Sequence, residues 1–114
     1  MTQENESLLP TFYVAVVIIE SAIANPTSQP LYEERFLLIK ATSEEDASEK
    51  AIQQSNEPLS YQNQYGETVT WTFKEVVEAK EVNYDKIVDG TEIFTRFFRN
   101  YEAYNAALQQ KFED

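Results

Sequence analysis

Any catalysis by this chain would fall to carboxylates, amines, guanidinium groups, phenols and hydroxyls, because the sequence contains no histidine and no cysteine. The missing imidazole removes the usual general base near neutral pH and the commonest transition-metal ligand. The missing thiol removes a nucleophile, any zinc–thiolate centre and any disulfide framework. Carboxylates are plentiful, with 20 Asp and Glu, and a pair held at a set separation in a cleft can cleave a glycosidic bond. No spacing here singles out one pair. The segment from Asp85 to Asp89-Gly-Thr-Glu92 has the outline of a calcium loop, but Lys86, Ile87 and Val88 stand at the positions between. A hairpin turn at Asp89-Gly90 is the better reading. Gly66 and Gly90 are the only glycines, so no loop can cradle a phosphate with its backbone. The chain is read as non-enzymatic, with no metal and no cofactor.

Recognition chemistry is better represented. Glu92–Tyr104, EIFTRFFRNYEAY, places Phe94, Phe97, Phe98, Tyr101 and Tyr104 around Arg96 and Arg99. Aromatic residues and arginine are the types enriched where proteins bind proteins. The same interleaving suits stacking on single-stranded nucleic acid. The plainer reading is a core strand and helix face with the arginines paired to carboxylates. Alternation supports part of it: Phe94 and Phe98 share one face, Ile93 and Phe97 the other. Adjacent Phe97 and Phe98 still force one ring off any single face.

Charge weighs between these partners. The net charge is −11, and the first basic residue is Arg35. Binding to a phosphate backbone relies on Lys and Arg displacing counterions, so no nucleic-acid partner is expected. An anionic membrane surface is disfavoured for the same reason. A protein partner, basic in character, fits better, although acidity also serves solubility alone. Glu4 and Glu6 stand where a secretory signal needs Lys or Arg, and the next apolar run is shorter than a membrane helix requires. Together with the absence of cysteine, this points to a cytoplasmic protein with no membrane association.

The elements that must position these residues are read from periodicity. Phe12–Ile19, FYVAVVII, carries only apolar or aromatic side chains and reads as a strand buried on both faces at the centre of a sheet. Residues 1–10 read as a flexible tail and 11–114 as a single domain. The first strand runs from Phe12 to about Ala22 and the second from Leu31 to Ala41, joined by a proline-containing loop over 25–30. Thr42-Ser-Glu-Glu45 has the form of a capping box with Thr42 as N-cap. The helix it opens runs to about Ser55, with Ala47, Ala51 and Ile52 facing inward. A short strand at Ser60–Gln64 turns at Tyr65-Gly66. Glu67–Phe73 then alternates Val69, Trp71 and Phe73 against Thr68, Thr70 and Thr72. A bulge or bend is expected near Lys74, because one continuous strand of this length is unusual. Val82–Val88 and Thr91–Arg99 are expected to form a hairpin about Asp89-Gly90. A last helix runs from Tyr101 to about Phe112, with Asn100 as N-cap and Tyr101, Tyr104, Leu108 and Phe112 as its apolar stripe.

The expected architecture is α+β: an antiparallel sheet of five or six strands and two helices, order ββαβββ(β)α, with the helices on one face. Two helices, one of them mostly alanine inside, do not obviously cover both faces of the first two strands. A homodimer covering the second face is one solution.

The order of these features resembles the bacterial domain-of-unknown-function family DUF4288. The matching stretches are the opening aliphatic strand, Glu33-Glu34 before Phe36-Leu-Leu-Ile-Lys-Ala41, and Ser43-Glu-Glu-Asp-Ala47. Tyr65-Gly-Glu-Thr-Val-Thr-Trp-Thr-Phe73 and Asp89-Gly-Thr-Glu-Ile-Phe-Thr-Arg96 complete the match. It covers roughly 12–98. The resemblance implies a domain type and no mechanism. It marks Glu33, Glu34, Trp71, Asp89, Gly90, Thr91, Glu92 and Arg96 as candidates for a shared site. Trp71 as a core anchor and Asp89-Gly90 as a turn have structural explanations. Glu34, Glu92 and Arg96 are expected to form one ion-paired cluster across neighbouring strands.

The reading is therefore a protein-interaction or regulatory module. Its candidate contact residues are Glu34, Glu92, Phe94, Arg96, Phe98, Arg99, Tyr101 and Tyr104. The alternative is a small-ligand binder with a pocket between sheet and helices lined by aromatics and Arg96.

Overall fold

The central strand of the computed structural model is β1, Thr11–Ile23, and every other part of the sheet is arranged on it. The structure describes residues 9–25, 29–82 and 86–109, so the N-terminal tail expected over 1–10 lies almost wholly outside the described residues. Among the described residues β1 is joined by β2 (Tyr32–Ala41), α1 (Glu44–Ser55), β3 (Leu59–Gln62), β4 (Thr68–Glu81) and α2 (Tyr101–Gln109). The sheet is antiparallel, in the order β2-β1-β4-β3. The class is α+β as expected.

Burial explains the central position. Val14, Val16 and Val17 are each no more than 2% exposed, and removing such side chains from water contributes about 1.5–3 kcal/mol apiece. Pairing with β2 is unbroken from Thr11↔Ala41 to Glu20↔Tyr32. Ser21, buried and polar, closes that pair: its amide donates to the Leu31 carbonyl (2.8 Å) and its hydroxyl accepts from the Leu31 amide (3.0 Å).

Pairing with β4 is interrupted twice. Val16 faces Glu78 while Val17 faces Val76, which leaves Val77 unmatched. Ile18 faces Glu75 while Ile19 faces Phe73, which leaves Lys74 unmatched. Lys74 is where the sequence anticipated a bulge. These two bulges let one strand of 14 residues bend along β1 and re-aim its side chains. β3 pairs only with the first residues of β4, from Leu59↔Trp71 to Gln62↔Thr68. The turn between them is built on Asn63, whose side-chain oxygen accepts from the amides of Tyr65 and Glu67 at 2.9 and 3.0 Å. Gly66 takes φ +77° there, a conformation open to glycine.

Helix α1 starts one residue later than its sequence suggested. Ser43, not Thr42, is the N-cap, and its Oγ accepts from the Asp46 amide at 3.0 Å. Asp46 reaches back to the Thr42 amide (3.0 Å) and hydroxyl (3.2 Å), so Asp46 takes the role expected of Glu45. Ala47 and Ala51 are fully buried, whereas Ile52 stays 39% exposed. Small inner residues bring the helix close over the odd-numbered side chains of β1, and Tyr13, Ala15, Val17 and Ile19 join Ile39, Ala41, Ala47, Ala51 and Ala79 in one core.

Two expectations fail. Among the described residues the sheet has four strands, not five or six, because Thr91–Arg99 forms no strand and Val82 ends the β4 ladder with one bond to the Phe12 carbonyl (2.8 Å). Residues 83–85 of the expected hairpin lie outside the described residues. The Asp89-Gly90 turn is present, with Gly90 at φ +89° and the Thr91 amide donating to the Val88 carbonyl at 3.0 Å. The chain beyond this turn lies on the sheet's surface instead of pairing at its edge. The helices also do not share a face. α1 packs on the odd-numbered face, and among the described residues α2 packs on no strand and not on α1.

Candidate interaction surface

The even-numbered face of the sheet carries Val14, Val16 and Ile18 on β1, Glu34, Phe36 and Leu38 on β2, and Glu78 and Lys80 on β4. Residues 94–96 lie across this face. The Phe94 ring stacks on Phe36, centroids 5.6 Å apart, and the Lys80 ammonium donates to the Thr95 carbonyl at 3.0 Å while lying 5.5 Å from the Phe94 centroid. Anchored on β2 by one contact and on β4 by the other, the segment bridges over β1.

Arg96 continues the same arrangement. Its guanidinium lies 3.6 Å from Glu34 and 3.8 Å from Glu78, and 5.4 Å from the Phe94 centroid. The expected pairing of Glu34 with Arg96 is therefore present, but Glu92 is not in the cluster. Its carboxylate accepts from the Thr95 hydroxyl, because without a ladder the chain folds back on itself locally. Glu78, Phe36 and Lys80 complete the cluster and were missed. Their signal was the parity of β2 and β4, readable only once the register is known.

Beyond Arg96 the chain leaves the sheet. Asn100 caps α2 as expected, its side-chain oxygen accepting from the Ala103 amide at 2.9 Å. Phe98 stacks on Tyr104 at 4.4 Å with the rings 10° from parallel, and Tyr101 lies 6.5 Å from Tyr104. These rings pack on one another. Phe97 is 89% exposed, and no residue of α2 is buried. Phe97, Phe98 and Arg99 line a shallow depression. Tyr101, Tyr104 and Leu108 form the expected stripe; Phe112 lies outside the described residues.

The other candidates are divided between faces. Glu33 and Trp71 lie on the helix side, where Glu33 pairs with Arg35 at 2.9 Å and Trp71 Nε1 donates to the Tyr61 hydroxyl at 3.0 Å. A groove of about 300 Å³ beside α1 is lined by Ile19, Tyr61, Trp71 and Phe73 together with Glu33 and Arg35. Arg96 is on the opposite face, beside Glu34 and Glu78, and does not line this groove. Parity is the reason: residues 34 and 35 point to opposite sides of the sheet.

Acidic side chains gather along α1 and β4. Glu44, Glu45 and Glu78 line one open groove of about 470 Å³. Glu44, Glu81 and Glu92 line another of about 420 Å³ beside Phe94. No metal-binding group of three carboxylates occurs among the described residues. Two carboxyl groups are held below their ordinary range, and both are structural. Hydrogen bonding to the Thr42 backbone lowers Asp46, and the Asn63 and then Asn25 side chains lower Glu67. No helix among the described residues is long and apolar enough to cross a membrane.

Fold and surface together define a small α+β domain with one helix-covered face and one face crossed by an irregular aromatic arm. The chain belongs to the family DUF4288, a domain of unknown function whose model matches residues 12–95. No curated protein and no solved structure matches it.

Proposed function

We propose that this chain is a non-enzymatic interaction module whose arm, from Glu92 through α2, docks on a protein partner. One observation carries the reading: Phe97, Phe98, Tyr101, Tyr104 and Leu108 are all 42% or more exposed on or beside a helix that, among the described residues, packs on no other element. An isolated helix shorter than about 12–15 residues is marginal in water, so a partner surface is the natural site for this stripe. The acidic grooves formed by Glu44, Glu45, Glu78, Glu81 and Glu92 favour a basic partner, and the absence of cysteine suits a reducing cytoplasm.

The test is affinity capture with the tagged protein, run beside Phe97→Asp and Tyr101→Ser variants. Neither side chain is buried, so both variants should fold normally by circular dichroism. A co-purifying basic protein retained by the parent and lost from both variants supports the reading. Identical capture by all three rejects the arm as the docking surface.

A further inference from the structure

Among the described residues the sheet has two long unpaired margins, and they are built differently. The open part of β4, beyond the short β3, carries the bulges at Lys74 and Val77. Bulges are a standard protection against edge-to-edge association. β2 has none. Its ten residues contain no proline or glycine and pair with β1 without a break. On its even-numbered side Phe36 and Leu38 are 54% and 52% exposed.

The backbone of β2 is oriented for pairing. The Leu31 carbonyl points inward to Ser21, whereas the Lys40 carbonyl points outward and accepts from Lys50 Nζ at 2.8 Å. By strict alternation, the amides and carbonyls of Tyr32, Glu34, Phe36, Leu38 and Lys40 all face away from β1. The Lys40 carbonyl has a second lone pair to offer.

We infer that β2 pairs antiparallel with β2 of a second copy of this chain, in the register that places the two Leu37 residues on the two-fold axis. In a two-fold pair with both sheets facing the same way, only residues of equal parity stand opposite each other. The Leu37-centred register sets Glu34 against Lys40 and Phe36 against Leu38, each twice. Both are favourable cross-strand pairs. A register centred on Phe36 sets Glu34 against Leu38, and one centred on Leu38 sets Phe36 against Lys40. Charge and apolar complementarity thus select a single register. The occupant is a second copy because β2 supplies both halves of the match. The result is one continuous sheet through two subunits, with the aromatic arms left free.

The experiment is light scattering coupled to size exclusion at micromolar concentration, with native mass spectrometry. The expected mass is twice 13.2 kDa. Glu34→Lys and Lys40→Glu each place like charges opposite one another, and each should weaken the dimer at least tenfold. Mixed in equal amounts, with one variant nitrogen-15 labelled, they should form a heterodimer. In that mixed pair the lysine introduced in the first variant meets the glutamate introduced in the second, while Lys40 of the first meets Glu34 of the second, so opposite charges face each other at both positions. An independent readout needs no variant: the outward amides of Phe36 and Leu38 should gain protection from hydrogen exchange as protein concentration rises. A monomeric parent, a dimer indifferent to both substitutions, a mixture that fails to pair, or amides unprotected at every concentration would each overturn the inference.

Discussion

The ring of Phe94 lies stacked on Phe36 with centroids 5.6 Å apart, and this contact ties a segment without regular structure to a strand far from it in sequence. Lys80 and Arg96 approach the same ring at 5.5 and 5.4 Å. Phe94 is thus the point where the arm, β2 and β4 meet.

Phe94→Ala should cost about 1–2 kcal/mol, below the range for a fully buried phenylalanine because the site is only half-buried. Urea denaturation measures the loss. Hydrogen exchange should show faster exchange confined to residues 91–99, with β1 unchanged. Unchanged exchange in that segment would mean that Phe94 does not hold the arm.

The sheet and first helix were legible because their signals are local and redundant. Phe12–Ile19 could satisfy an all-apolar composition only between two strands. Glu67–Phe73 alternated, and the loss of phase after Lys74 marked a bulge that the structure places there. Thr91–Arg99 misled for a physical reason. Side-chain alternation does not show whether a segment finds a ladder partner, and this one bonds locally through Thr95 and Glu92 instead. The Asp89-Gly90 turn was read correctly, but a turn does not dictate what its second arm pairs with. The Glu34–Arg96 pair was readable from residue type, while Glu78 and Lys80 depended on a register set by two bulges.

The cap of α1 offers a sharper test of local chemistry. Ser43→Ala removes the oxygen that accepts from the Asp46 amide, and should cost about 1 kcal/mol. Thr42→Ala removes only the hydroxyl bond to Asp46 and leaves the cap in place. Thermal denaturation should therefore rank Ser43→Ala below Thr42→Ala. The reverse order would return the N-cap to Thr42.

Acid sensitivity should track Glu67. Bonds from Asn63 at 3.0 Å and Asn25 at 3.1 Å favour its charged form and lower its pKa. A carboxyl depressed on folding stabilises the native state above its unfolded pKa, and that contribution disappears as pH falls through the folded value. The stability lost in Glu67→Gln should be complete above about pH 5 and should shrink below about pH 4.5. Urea melts of both proteins across this range measure it. A difference independent of pH would assign the effect to packing.

The alanine face of α1 is close-fitting. Ala51 is fully buried against the sheet, so Ala51→Leu forces extra carbons into a filled space at a cost of about 1–3 kcal/mol. Ile52→Ala, at a position 39% exposed, should cost less. If Ala51→Leu left the melting midpoint unchanged, the helix would have to sit farther from β1 than its buried alanines indicate.

Arg96 tests how much the ion-paired cluster contributes. The side chain is 44% exposed and its carboxylate partners stand at 3.6 and 3.8 Å. Such pairs are screened by water and salt and contribute about 0–1 kcal/mol. Arg96→Ala should therefore stay within that range and lose most of its effect in molar salt. Arg96→Lys keeps the charge but not the flat group over Phe94, and separates the two contributions. If Arg96→Lys restores parental stability, the charge dominates; if it behaves as Arg96→Ala, the contact with the ring does. A loss well above 1 kcal/mol that persists in salt would show that Arg96 holds the arm by packing, as Phe94 does.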